Sequence, residues 1–144
     1  MRISFDLGGV FYPGAPDEDN AIALQALLEA LIAINRVYMR ACDGKVPGLY
    51  LANVPYARTQ IWDSTPDLYA RGYGDCKSLT ATRIAELREQ GEECQPVFRF
   101  AQNPQTGARD FHILVRNGAD FEDPSRKLGM VEYHRRKGLW VFPE

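Results

Sequence analysis

The sequence predicts an α+β domain, in which a long first helix and a second helix that starts on a cysteine pack on an antiparallel sheet. Three observations predict it. Leu24, Leu27, Leu28, Leu31, Ile34 and Tyr38 recur at three- and four-residue steps, the spacing of one helix face. Cys76 to Gln90 is bracketed by Gly74-Asp75 and Gly91, a helix start and a helix stop. From Gln95 onward, short stretches of Val, Ile and Phe on a two-residue period are separated by turn residues.

With 144 residues, the chain has the length of one domain, long enough to bury a core without metal or disulfide staples. Residues 1–144 are therefore expected to form one unit. The net charge of -2 leaves no basic excess of the kind that grips nucleic acid or an anionic membrane. Cys42, Cys76 and Cys94 are odd in number and lack CxxC spacing, which argues against a disulfide framework and makes the cytoplasm the default compartment. No run is expected to approach the roughly 20 apolar residues of a membrane span.

Taken in order, MRISFDLGGVFY alternates apolar and polar residues with an acid at Asp6, which fits a strand and not the apolar core of a signal peptide. GGVFYPGAP reads as a loop. Asp17-Glu18-Asp19 is expected to supply an N-cap and acids for the first turn of a helix from Asn20 to about Arg40. Asp43-Gly44 to Gly48 ends it, and Leu49 to Ser64 shows no clean period and is expected to be irregular, with room for a short helix or strand. Pro66 to Asp75 leads into the Cys76 helix, whose apolar side is Leu79, Ala81, Ile84 and Leu87. Gln95 to Ala101 reads as a strand, NPQTG as its turn, and Arg109 to Arg116 as the next strand. Asn117-Gly118 is a strong hairpin signal, Ala119 to Asp123 returns, Pro124 stops the strand, and the tail from Met130 to Pro143 adds one more strand or a pair.

A cysteine in the first turn of a helix sits where backbone amides are unpaired and the dipole favours negative charge, which is expected to lower its pKa toward a thiolate able to attack an acyl carbon. If Asn117-Gly118 is a two-residue loop, Arg116 faces Ala119, Leu114 faces Phe121 and His112 faces Asp123. Directly opposed side chains are about 5 Å apart, within reach of an imidazole–carboxylate hydrogen bond. Asp120 falls on the other face, opposite Val115, whereas a bulged three-residue loop would bring Glu122 to His112 instead. Cys76, His112 and Asp123 thus offer nucleophile, base and orienting acid, the roles that acyl transfer through a thioester needs. Asp75 is expected to cap the helix and Lys77 to point to water. Cys42 and Cys94 read as buried small hydrophobes. His134, among the charges of EYHRRKG, reads as a surface residue, and no pair among Cys76, Cys94, His112 and His134 has zinc-ligand spacing, so no metal is expected.

Gly74-Asp75-Cys76, Leu87-Arg88 with Gly91, His112, and Asp123-Pro124-Ser125, arriving in that order over about residues 60–125, resemble the motifs of the transglutaminase-like superfamily of papain-like cysteine enzymes. The resemblance implies a papain-like core, a catalytic Cys76-His112-Asp123 triad, no cofactor, and a peptide or protein substrate cleaved at an amide bond. It also implies an oxyanion or substrate-contacting side chain upstream of the cysteine, for which Gln60, Trp62 and Tyr73 are all candidates beside the turn residues Gly74 and Asp75. A competing expectation is an interaction or assembly protein, such as a phage or prophage structural component found in a virion, that keeps this fold without turnover.

Overall fold

The computed structural model describes residues 4, 16–102, 109–131 and 140–142. The expected N-terminal strand, the NPQTG turn and His134 lie outside these residues. Four helices and four strands follow in the order α1 (Asp17–Ala41), α2 (Thr65–Arg71), α3 (Cys76–Glu89), β1 (Cys94–Gln102), β2 (Arg109–Asn117), β3 (Asp120–Glu122), α4 (Pro124–Lys127) and β4 (Trp140–Phe142). The strands form one antiparallel sheet in the order β3-β2-β1-β4. The architecture is α+β, as the patterning predicts.

α3 is the central helix. Every residue from Cys76 to Thr82 is buried, because α1, α2 and α4 pack around it and β1 and β2 lie against it. That enclosure explains why its sequence, CKSLTATRIAELRE, shows only a weak apolar stripe: small and hydroxyl residues fill a site covered from several sides. On the sheet, Phe98 pairs with Ile113 and Phe100 with Phe111, so these side chains share the face that meets the helices. The rings of Phe98, Phe100 and Phe111 pack with centroids 6.3 to 6.4 Å apart, and with Leu28, Ile32 and Ile84 they build the main core.

α1 contributes Ala21, Leu24, Leu28, Leu31, Ile32, Asn35 and Met39 to the interior. Asn35 is fully buried, and its carbonyl oxygen accepts the Thr65 backbone N–H at 2.8 Å, which ties α1 to the start of α2. Two expectations about α1 need correction. Ile34 is 53% exposed, because it stands about 120° round the helix from the buried Leu28. The helix is also apolar enough by length and composition to cross a membrane, with an 18-residue stretch of mean hydropathy 1.4; the separated leucines and isoleucines conceal this when read singly.

α2 occupies residues expected to be a plain lead-in. Pro66 stands in its first turn, where the missing N–H has no intrahelical role, and Gly72 closes it in the left-handed conformation at φ 81°. Pro124, expected to stop the hairpin strand, does so by opening α4. Among the described residues of the tail, β4 is a strand, with Phe142 opposite Phe98 and Trp140 opposite Phe100.

Candidate active site

The turn before α3 is built for close approach. A Cβ on Gly74 would lie 2.5 Å from Leu68 Cδ1, so any larger residue there would have to push the buried Leu68 side chain of α2 aside. Gly74 pairs in parallel with a strap at residues 55–57: Ala57 N–H donates to the Gly74 carbonyl at 2.8 Å and Gly74 N–H to the Pro55 carbonyl at 3.3 Å. Asp75 is the N-cap, as expected, and its carboxylate accepts the Lys77 N–H at 3.2 Å. Lys77 does not point to water. Its side chain is 9% exposed and its ammonium donates to the second Asp75 oxygen and, at 3.0 Å, to the Thr59 carbonyl. The nucleophile turn and the 55–59 strap are therefore clasped by a buried ion pair.

α3 then runs along the open edge of β2, where β3 has ended. Ile113 offers both of its backbone groups to that helix: its carbonyl accepts from Thr80 Oγ1 at 3.3 Å, and its N–H is directed at the Cys76 sulfur. Cys76 and Thr80 are one helical turn apart, so a single strand residue reads both. Cys76 is thus set beside the strand residue that follows His112.

The surroundings of the Cys76 thiol favour its protonated form. Burial pushes the Cys76 pKa up to about 12, the Asp75 and Asp110 charges add to the rise, and Lys77 and the Ile113 N–H only partly oppose it. The expectation of a lowered pKa is corrected for that reason: the helix start is there, but Cys76 is buried, 7% exposed, next to the capping Asp75 carboxylate.

His112 Nε2 lies 2.9 Å from Asp123 Oδ2, so the structure brings the predicted base and acid together. It does so through a different register. Asn117 pairs with Asp120 and Arg116 with Phe121, so the turn is Gly118-Ala119 and not Asn117-Gly118. Gly118 has φ 62° and Ala119 does not share a positive φ, the pattern of a hairpin turn that needs glycine only at its first central position. A slip of two residues leaves every side chain on its original face. Asp123 therefore remains on the His112 side and reaches it diagonally, while Glu122 lies opposite Val115 and accepts from Arg83 and Tyr50 instead.

Asp123 is itself held in place. Its Oδ1 accepts the Arg126 N–H at 3.1 Å as the N-cap of α4, which leaves Oδ2 for the imidazole. A carboxylate accepts, so the contact pairs Asp123 Oδ2 with a proton on Nε2 and turns the Nδ1 edge of the ring away from Asp123. Both side chains are partly accessible, 15% for His112 and 17% for Asp123.

Among the expected oxyanion candidates, Trp62 packs against the main core, Gln60 is exposed, and Tyr73 is 40% exposed with the Arg71 guanidinium over its ring. Tyr56, which the sequence reading passed over, has the better position. It lies on the strap beside Gly74, its N–H donates to the Leu128 carbonyl at the end of α4 at 2.8 Å, and its phenol pKa is raised by burial and then by the Cys76 and Asp75 charges. The strap therefore links the nucleophile turn to the helix that Asp123 caps. Cys94 is buried with its sulfur 3.9 Å from the Ile84 carbonyl, and Cys42 is the C-cap of α1. Among the described residues no three His, Cys, Asp or Glu side chains converge as a metal site would need. No family model matches the chain, and no curated protein or solved structure matches it either.

Proposed function

We propose that the chain is a cysteine-dependent acyl-transfer enzyme with a papain-like, transglutaminase-like core, hydrolysing a peptide or other amide bond through a thioester on Cys76. The observation that carries the proposal is the His112–Asp123 contact, made by the strand residue next to the one whose N–H meets the Cys76 sulfur. A neutral thiol sets the order of events. His112 Nδ1 takes the thiol proton as the sulfur attacks the carbonyl, and the backbone N–H of Cys76 at the helix start serves the oxyanion. Collapse breaks the C–N bond, and the amine leaves with the proton held on His112. Water, deprotonated by the same nitrogen, then attacks the thioester and regenerates the thiol. Asp123 keeps the imidazole in the required tautomer and stabilises its cation. The substrate is a peptide or protein, the compartment the cytoplasm, and no cofactor enters the scheme.

Intact-mass spectrometry after mixing with a panel of peptide thioesters and amides tests this directly. The expected result is an acyl adduct on Cys76 that is absent in Cys76→Ser and resolves to free acid in water. Faster resolution by added amine than by water would make the reaction crosslinking and not hydrolysis. A second reading, a non-catalytic assembly protein such as a phage or prophage component, is favoured by the burial of Cys76 and its raised pKa. It predicts no acyl adduct from any panel member.

A further inference from the structure

A surface helix normally turns polar residues outward. α1 does not. Every exposed position between Asp19 and Arg40 is apolar: Ile22, Ala26, Ala30, Ala33, Ile34 and Val37. Ile22, Ile34 and Val37 are 54, 53 and 63% exposed, and only 22% of the helix's apolar stretch is buried. We infer that this face of α1 is the interface of a two-fold dimer, in which a second copy of the chain packs its own α1 antiparallel across it.

The identity of the occupant follows from the order of residues along the stripe. In an antiparallel pair crossing near Ala30, Ile22 of one copy lies beside Val37 of the other, Ala26 beside Ala33, and Asp19 beside Arg40. The larger side chains meet at both ends, and the alanines at the centre allow axes to approach to about 8 Å. The charges complement: the acids Glu18 and Asp19 end the stripe on one side, and Arg40, still 57% exposed while it holds Glu89, ends it on the other. Such self-complementarity is what a two-fold interface requires. An anionic membrane surface is a poorer match, because basic residues are confined to the last turns of the helix and are already engaged with Glu89. The stripe is about 22 Å long at 1.5 Å per residue, which places the contact at the small, micromolar end of specific interfaces.

Sedimentation velocity on the full chain, from micromolar to near-millimolar concentration, tests the inference. A reversible monomer–dimer equilibrium is expected. Ala30→Glu, which sets two carboxylates face to face near the two-fold axis, should weaken it by about a hundredfold, and Asp19→Arg by a smaller factor. Circular dichroism checks that each variant keeps its helix content, and Ile34→Lys replaces Ala30→Glu should that variant fail to fold. A monomer at all concentrations overturns the inference, as does a dimer indifferent to both Ala30→Glu and Ile34→Lys. Monomers that co-sediment with phosphatidylserine–phosphatidylcholine vesicles overturn it in favour of a lipid surface.

Discussion

The two halves of the candidate site are built in opposite ways. On the α3 side, Cys76 is buried, its turn packs a glycine closely against Leu68, and the Lys77 of a buried ion pair holds the neighbouring strap. On the hairpin side, His112 and Asp123 are held by one charge-assisted contact and one helix cap, and both remain partly open to solvent. The contrast teaches where activation must come from. On the proposed acyl-transfer reading, a closed, neutral thiol would depend on His112 in the accessible half for its deprotonation as the bond forms.

Breaking the open half should have the largest effect. His112→Ala is expected to slow acylation of Cys76 by about 10² to 10⁴, the range of a positioned general base, while thermal unfolding stays close to wild type because the ring is not in the core. Stopped-flow acylation and calorimetry separate the two effects. Breaking the closed half should do the reverse and show first as stability. Lys77→Met leaves the Asp75 carboxylate buried without its cation, at a cost of about 3–5 kcal/mol in denaturant unfolding. Gly74→Ala forces Leu68 aside and should cost about 1–3 kcal/mol. The thiol itself provides the mildest probe. An unfolded cysteine ionises near 8.5, whereas folded Cys76 keeps its proton up to about 12. Above pH 8.5 the folded state therefore holds more protons than the unfolded one, and stability should fall by about 1.4 kcal/mol per pH unit from this group. Cys76→Ala should remove that slope, measured by urea unfolding at pH 8 to 10.

How legible the molecule was in its sequence follows the same division. The hairpin side could be read because strand faces depend on parity: the register was displaced by two residues, yet Asp123 still met His112. α1 and α3 were visible from spacing and from their bounding residues. What stayed hidden was tertiary. Ser64-Thr65-Pro66-Asp67 carries a helix-start signal, but the seven residues of α2 are too few to show a period. Tyr56 sits in a segment without pattern, and its place beside the thiol comes from one parallel bridge to Gly74. The burial of Lys77 and the raised pKa of Cys76 depend on the strap that covers them, which no local rule reports. The apolar outward face of α1 was present in the residues, yet a period marks only the inward face when the outward one is apolar as well.

The claim that Cys76, His112 and Asp123 act as one chemical unit is tested most directly by the rate at which a peptide vinyl sulfone labels Cys76 at pH 7 in three proteins. Wild type should give a stoichiometric adduct on Cys76. Asp123→Asn, whose single amide oxygen must serve both the α4 cap and the imidazole and which carries no charge to stabilise an imidazolium, should label markedly more slowly, and His112→Ala more slowly still. Equal rates in all three proteins, or no adduct on Cys76 in wild type, would contradict the triad.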